Sequence, residues 1–299
     1  MINIPMNTGI SGEYRLVVNR ANGAKHDTGW FKNLILDQGL ERIGTVNPTD
    51  FRNLLKFVKL GTGTTPPEVS QTALETQIAV QQSTSTTRTN LGSPSYIGRC
   101  EVKYTFGLGV ILNTITEIGV GWESGTGSLF SRALITPGPL TLGALDQLEV
   151  FYRLEFTPSL NDVNGTFSIG STSYNYTIRR AEIDQYSPGD DSSLISGRNS
   201  SLAIYENFVL GSITESPTGT VRATDAPSLT AYVPNSYYIE AKFDFAIAIT
   251  VSTGNGGLLY RVSTGAFDYG AFQISYAPPI TKTTAQILSF VIRNSWARL

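Results

Sequence analysis

The sequence has few of the residues that carry most enzyme and metal chemistry. It contains one cysteine, Cys100, and one histidine, His26. A single cysteine excludes an intrachain disulfide, and a structural zinc site needs three or four cysteine or histidine ligands. His26 lies beside Asp27 in a predicted loop or strand edge, where a lone histidine is usually a solvent-facing residue. We therefore predict a chain that is not an enzyme, with no catalytic residue, no cofactor and no metal site.

Charge is also scarce, which limits the kinds of partner. Charged residues make up 15% of the chain and leave a net charge of −2. The basic residues are spread along the sequence, so they form no patch for nucleic acid or for an anionic membrane surface. No apolar run reaches the ~18 residues of a membrane span. The N-terminal stretch has neither the basic start nor the apolar segment of a signal peptide. We expect no nucleic-acid partner, no membrane insertion and synthesis in a cytoplasm.

The residues that are abundant favour β-structure. The chain has 29 glycines, 14 tyrosines and 14 phenylalanines. In Glu117–Thr136, a short glycine-containing turn separates two apolar runs, which is the pattern of a β-hairpin. Leu148–Phe156 and Tyr237–Val251 alternate apolar with polar side chains, as half-buried strands do.

Three side chains of the hairpin, and one of another strand-like run, have predicted positions in the core or at an edge of the sheet. We expect Trp122 and Phe130 to anchor the core, because both are large aromatic residues in the apolar runs. Arg132 is expected at a strand edge or a subunit contact. Cys100 lies in another strand-like run and is predicted to be a small core residue.

Three stretches depart from the β pattern. Asn33–Ile43 and Glu68–Ile78 carry apolar residues at helical spacing and are predicted to be short helices. Residues 1–12 are polar and contain glycine and proline, which predicts an arm or loop.

The fold class that follows is mainly β. We predict antiparallel, jelly-roll-like β-sandwich domains with one or two short helices near the N-terminus. Thr157-Pro158 ends a strand and opens a polar stretch, which places a boundary there. Residues 1–157 are then a β-rich domain for attachment and assembly. Residues 158–299 are a second β-sandwich that is either separate from the first or interleaved with it.

Three turns resemble ligand sites without completing them. Asn161–Gly165 begins like a calcium loop but lacks the bidentate glutamate, and Asp190-Asp191 lies in another oxygen-rich turn. A solvated turn is the favoured interpretation of both, with a calcium ion as the alternative. Gly61–Thr65 lacks the lysine and the glycine spacing of a phosphate loop.

Four tyrosines leave two interpretations open. Tyr174, Tyr176, Tyr237 and Tyr238 are either half-buried strand residues or exposed rings that stack on sugars.

Several of these motifs together resemble structural proteins of tailed bacteriophages, of the tail fibre, collar or baseplate type. The matching segments are Gly29–Ile35 with Gly39-Leu40, Leu60–Pro67, Thr72–Leu74, Glu117–Trp122 and Leu129–Ile135. The resemblance covers roughly residues 29–156 and matches Ile274–Arg298 more loosely. It implies a virion protein that assembles as a symmetric homo-oligomer with other phage virion proteins in the tail or neck.

These observations give three functional hypotheses. The leading one is a non-enzymatic structural component of a phage tail that connects or bears host-adhesion parts. The second is a receptor-binding module that recognises a host cell-surface glycan through aromatics near Ser171–Tyr176 or Asn235–Tyr238. Further alternatives are a head or neck decoration protein and a polysaccharide hydrolase. The hydrolase requires two carboxylates about 5–9.5 Å apart in a cleft.

Overall fold

The computed structural model describes residues 2–45, 53–91, 97–181, 200–246, 249–262 and 268–299. Within these residues, antiparallel β-sheets and one α-helix form the fold, so the predicted mainly β class is confirmed. The chain divides into two compact units. The N-terminal unit comprises Gly9–Thr89, Gly98–Phe156 and Ala297–Leu299, and the C-terminal unit comprises Met1–Thr8, Asn90–Ile97 and Thr157–Trp296. The domain assignment made from the sequence stays a prediction.

The N-terminal unit is a curled antiparallel sheet. The strands that contribute to it or lie beside it are β1 (Ile2–Asn19), β2 (Lys25–Asp27), β3 (Phe31–Lys32), β4 (Leu34–Ile35), β5 (Phe57–Gly61), β6 (Gln77–Leu91), β7 (Ile97–Phe106), β8 (Thr114–Ile115), β9 (Glu117–Gly121), β10 (Leu129–Leu134), β11 (Leu140–Thr141) and β12 (Gln147–Pro158). The order is β1-β12-β7-β6-β5-β9-β10-β4. Because β3 pairs with β1 while β4 pairs with β10, the chain between them brings the two ends of the sheet together.

Period-2 alternation explains the core of this unit. The alternating residues of β12 from Leu148 to Phe156 are all buried, as predicted. Tyr152 is one of them, Tyr14 and Tyr104 are buried as well, and burial raises the pKa of each of the three phenols. Protonated phenols can donate, so the Tyr104 hydroxyl donates to the Leu55 carbonyl at 2.6 Å. The core is therefore apolar, with satisfied tyrosine hydroxyls.

The predicted hairpin is confirmed in β9 and β10, which pair antiparallel. Phe130 is fully buried, in agreement with its predicted role as an anchor. Trp122 is only half-buried at the start of the connection, where the Arg42 guanidinium lies 5.5 Å from its ring centroid. The prediction of Trp122 as a core anchor was wrong. Strand β9 ends at Gly121, so the alternation of inward and outward side chains along β9 does not extend to the Trp122 ring.

One helix, α1 (Asp37–Thr45), occupies part of the stretch predicted to be helical. It begins later than expected, because Leu34–Ile35 is taken up by β4. Gly39 faces β10 so closely that a Cβ atom there would lie 2.4 Å from the Phe130 carbonyl oxygen. A residue that lowers helix propensity is thus needed for the helix to approach the strand.

Three other local predictions were wrong. Glu68–Ile78 is a turn-rich segment whose last two residues begin β6, and its Leu74 packs with Leu36 and Leu129 while Val69 and Ile78 are exposed, so the predicted apolar helix face does not form. Residues 2–12 belong to β1, where sheet pairing overrides the glycine and proline content. Cys100 is half-buried in β7 and is not a core residue.

The C-terminal unit is a two-layer arrangement. The strands that contribute to it beyond those above are β13 (Val163–Ile169), β14 (Thr172–Arg180), β15 (Ser200–Val209), β16 (Thr218–Asp225), β17 (Ser228–Leu229), β18 (Tyr238–Phe245), β19 (Val251–Val262), β20 (Asp268–Lys282) and β21 (Leu288–Arg298). Six of them form the sheet β13-β14-β20-β19-β15-β16, and β17-β18-β21 belong to the opposing layer.

The core of this unit draws side chains from both layers. Phe243 and Phe290 from β18 and β21 share one apolar cluster with Ile204, Ile274 and Tyr276 from the six-stranded sheet. The alternation predicted for Tyr237–Val251 is confirmed over β18, although Val251 already belongs to β19. On the other face of the six-stranded sheet, Gln273 is buried under the connection after β15, and its amide donates to the carbonyls of Gly211 and Ser212.

Candidate functional site

Four of the segments behind the phage resemblance meet at one face of the β5-β9-β10 sheet: Leu60–Pro67, Thr72–Leu74, Glu117–Trp122 and Leu129–Ile135. Ile118 and Val120 point into the core, while Glu117, Gly119 and Gly121 occupy the opposite face. Lys59 of β5 pairs with Gly119 and lies on the same outer face. Because the glycines have no side chain, other segments of the chain can lie directly on the backbone of this face.

The connection between β5 and β6 covers this face and is fixed to Glu117. Its backbone amides at Gly63 and Thr76 donate to Glu117 Oε1 at 2.9 and 2.8 Å, and the Glu75 amide donates to Oε2 at 3.1 Å. A Cβ atom on Gly61 would lie 2.4 Å from Glu117 Oε1. The Gly-Thr-Gly sequence therefore serves close approach to a carboxylate.

Arg132 completes this arrangement, which we call the Glu117–Arg132 clamp. Its Nε donates to Glu117 Oε2 at 2.9 Å, and Nη1 donates to Gln71 Oε1 in the covering connection at 2.8 Å. Both charged side chains are 0% exposed. The expectation that Arg132 lies at a strand edge or subunit contact was wrong, because an internal carboxylate pairs with it.

The exposed part of the same connection is held by a second carboxylate. Glu75 Oε2 accepts the backbone amides of Thr64 and Thr65, each at 2.9 Å. These hydrogen bonds, with that of Thr65 the largest contribution, hold the pKa of Glu75 below its usual value. The clamp thus orders the connection from its buried glycines to its exposed threonines.

Lys59 holds the other end of the hairpin. Its ammonium group is buried and donates to the Gly127 carbonyl in the β9–β10 connection. Burial lowers the pKa of Lys59 from 10.5 to about 8, and the charge of Glu123 opposes that shift. Two buried cations, Arg132 and Lys59, therefore fix the hairpin and its covering segments from opposite ends.

The residues examined for catalysis do not assemble into a site. His26 is exposed on β2, and its neighbour Asp27 is bound by the Arg15 guanidinium, which lowers the pKa of Asp27 to about 2. Asp162 accepts two hydrogen bonds from Arg179, at 2.8 and 2.7 Å. In the described ranges, no cluster of three or more His, Cys, Asp or Glu residues could hold a metal ion. Asp190-Asp191 lies outside the described residues.

The tyrosines considered for sugar stacking are engaged in packing. Tyr174 is buried and stacks on Phe167, with ring centroids 5.0 Å apart. Tyr176 is half-buried against the core cluster, and the Arg293 guanidinium covers Tyr238 at 4.1 Å from the ring centroid. Half-buried strand packing is therefore the better interpretation of these three rings.

Two surface features were not found from the sequence. The first is an apolar tip in the N-terminal unit, formed by the connections on either side of the β8–β11 pair. Its four aliphatic side chains are largely exposed: Leu108 (64%), Val110 (59%), Leu112 (61%) and Leu145 (66%). At its rim, Arg20 and Asp146 form an ion pair. Three of these residues alternate within Leu108–Leu112, but alternation alone does not show which face is covered.

The second feature is a polar groove of about 670 Å³ on the six-stranded sheet of the C-terminal unit. Strands β13, β14, β19 and β20 contribute its lining: Asn164, Gly165, Thr166, Asn175, Tyr176, Thr177, Asn255, Ser275, Tyr276 and Ala277. No carboxylate is among these ten residues, so the groove lacks the acid and base that a glycosidase needs.

Comparison with known proteins assigns no family to the chain. No protein-family model matches it, and no curated protein sequence or solved structure matches it either. In the part of the chain that the structure describes, no helix has the length and apolar character to cross a membrane.

The clamp predicts a large asymmetry between two ion pairs of the same unit. Arg132→Ala leaves Glu117 buried without its countercharge and should lower the free energy of unfolding by ~3–5 kcal/mol. The control Arg15→Ala breaks an exposed pair with Asp27 and should cost at most ~1 kcal/mol. Urea denaturation measures both. Equal effects of the two substitutions would show that the clamp contributes no more than a surface ion pair.

Lys59 predicts a stability that rises with pH. Between pH 8 and 10.5 the unfolded chain keeps the Lys59 proton while the folded chain releases it, so raising the pH through this window favours folding. Lys59→Met should remove this dependence, whereas Lys25→Met, at an exposed position, should retain it. The measurement is urea denaturation from pH 7.5 to 9.5. Parallel pH profiles for the wild type and Lys59→Met would contradict the assignment.

Proposed function

We propose that this chain is a non-enzymatic structural component of a bacteriophage tail, of the fibre, collar or baseplate type, that assembles as a symmetric homo-oligomer in the virion. The observation that carries the proposal is the apolar tip. Four exposed aliphatic side chains lie on two connections that a hydrogen bond from the Gly109 amide to the Asp146 carbonyl joins, and such surface on a chain of low charge is typical of a protein that buries surface against partners. The clamp also supports it, because motif residues behind the resemblance hold chain segments together.

The occupant that we propose for the tip is a second copy of this chain. Leu108 and Leu145 are aliphatic, and the only ion pair described at the rim, Arg20 with Asp146, is balanced in charge. A neutral apolar surface can face its own copy without like-charge repulsion. Other virion proteins would then bind elsewhere on the assembled oligomer.

The receptor-binding alternative was based on exposed tyrosines that would stack on a glycan. Tyr174 and Tyr176 are engaged in packing, so the Ser171–Tyr176 stretch supplies no free aromatic platform. The hydrolase alternative finds no carboxylate pair in the polar groove. The structural proposal is therefore the one that the geometry of the described residues supports best.

Sedimentation velocity at micromolar concentration tests this proposal. The wild type should be an oligomer, and the double variant Leu108→Asp/Leu145→Asp should weaken the association by at least ~100-fold, because two buried leucines stabilise it by roughly 1.5–3 kcal/mol each. The matched control is Val209→Asp/Ile287→Asp, since these residues are 62% and 58% exposed in the other unit. It should sediment like the wild type.

Two results would contradict the proposal. One is a wild-type protein that sediments as a monomer at tens of micromolar. The other is a tip variant that associates as strongly as the control variant, which would place the interface on another surface.

A further inference from the structure

We propose that the polar groove of the C-terminal unit binds a neutral saccharide. This inference is independent of the apolar tip, which belongs to the other unit. Three of the lining residues were considered from the sequence for another ligand or another role, Asn164 and Gly165 for calcium and Tyr176 for sugar stacking, and the remaining seven were not considered. The inference also differs from recognition by exposed tyrosines, because the groups that face the ligand are amides and hydroxyls.

Strand alternation sets the orientation of these groups. On β13, Val163 and Phe167 pack against the core, so Asn164 and Thr166 belong to the outer face. The same alternation places Asn175 and Thr177 of β14 outward, and Ser275 of β20 lies between two core residues. The groove is therefore on the side of the sheet that faces away from the hydrophobic cluster.

The register of the sheet collects these residues into two rows. Asn164 pairs with Thr177, which pairs with Ser275, which pairs with Gly256. In the second row, Thr166 pairs with Asn175, which pairs with Ala277. Paired residues in adjacent antiparallel strands share a face, so residues far apart in sequence are neighbours here.

The concave shape has a simple cause in residue size. The floor of the groove carries Ser275 and Ala277, while Gly256 contributes no side chain. Phe208 lies over Gly256, where a Cβ atom would come within 2.1 Å of its ring. Asn255 is fixed beside it, because its Oδ1 accepts the Phe208 amide at 2.9 Å and its Nδ2 donates to the Phe208 carbonyl at 3.2 Å. The small residues of the floor thus lie beside a wall formed by Phe208 and Asn255.

The groove also retains unused hydrogen-bonding groups. Thr177 Oγ1 donates to Asn164 Oδ1 at 2.6 Å, which orients the Asn164 amide and leaves its Nδ2 as a donor. Within the described part of the chain, no hydrogen bond engages the side chains of Thr166, Asn175 and Ser275. These groups present both donors and acceptors toward the same open space.

This chemistry selects the class of ligand. The ten lining residues carry no charge, which gives no countercharge to a phosphate, a sulfate or a metal ion. A sugar hydroxyl both donates and accepts, as do the amides and hydroxyls of the groove, and the volume is that of a small-molecule site. Neutral saccharides therefore match the lining better than anionic ligands.

A peptide is a poorer match for the same surface. Extended peptides are usually held by the main chain at a sheet edge. The backbones of β14 and β20 are instead paired on both sides, to β13, to each other and to β19. Recognition here has to use side chains, which suits a ligand that is itself covered with hydroxyl groups.

A glycan array with the full chain tests the proposal. The array carries neutral oligosaccharides, uronate-containing and sulfated oligosaccharides, and Ser/Thr-rich peptides. We expect binding to be confined to neutral oligosaccharides. Asn175→Ala, which removes a free amide, should lower the affinity for the bound glycan at least tenfold in calorimetry, and Thr166→Arg, which fills the groove, should abolish binding.

The matched controls are Thr220→Ala and Thr220→Arg, at an exposed position of β16 in the same sheet. Both should bind like the wild type, and circular dichroism should show all four variants folded. The proposal is overturned by the absence of any signal from neutral glycans, or by glycan binding that Asn175→Ala and Thr166→Arg leave unchanged. Peptide or anionic-glycan binding that depends on Asn175 would also overturn it. None of these outcomes bears on the oligomeric state, which the sedimentation experiment decides separately.

Discussion

The buried ion pair between Glu117 and Arg132 is the interaction on which the organisation of the N-terminal unit depends. Two opposite charges out of contact with water are tolerated only when they pair and their remaining polar groups are satisfied. Glu117 meets this condition by accepting three backbone amides in addition to Arg132. A carboxylate on a strand thereby fixes the path of a long connection that has no regular secondary structure of its own.

The clamp gives a physical meaning to the motifs of this unit. The glycines at 61 and 119 leave room for the covering connection, because Cβ atoms there would lie 2.6 Å from the Thr76 carbonyl oxygen and 3.2 Å from Leu74 Cδ2. Gly121 leaves room for the Ser128 carbonyl of the hairpin. Leu74 from that connection packs with Leu36 and Leu129, which adds an apolar contact to the polar one. These residue types are thus required by packing around a buried charge pair. A protein that serves as a structural part has use for connections held in this way.

The parts of the fold that could be predicted are those in which apolar and polar residues alternate along a single strand. The hairpin β9–β10 and the strands β12 and β18 have short-range alternation that indicates both their type and their buried face. The clamp could not be predicted in this way, because 54 residues separate Gly63 from Glu117. Arg132 is predicted at a strand edge or a subunit contact, and its burial is unexpected because arginine is usually exposed. The polar groove depends on register between strands about 100 residues apart, and a single sequence contains no direct signal of register.

The two units present surfaces with different chemistry. The N-terminal unit exposes an aliphatic tip with a balanced ion pair at its rim, which is suited to association between copies. The C-terminal unit exposes uncharged amides and hydroxyls on a sheet face, which is suited to a hydroxyl-rich ligand. Assembly and ligand recognition would then be assigned to separate units of one chain.

The most direct test of the proposed role in a phage tail is electron cryomicroscopy of phage particles purified from a culture that produces this chain. We expect density for both β-rich units in a symmetric set of copies on the tail or neck, with the apolar tip buried between neighbouring copies. A particle that lacks the chain, or one in which the tip faces solvent in every copy, would contradict it.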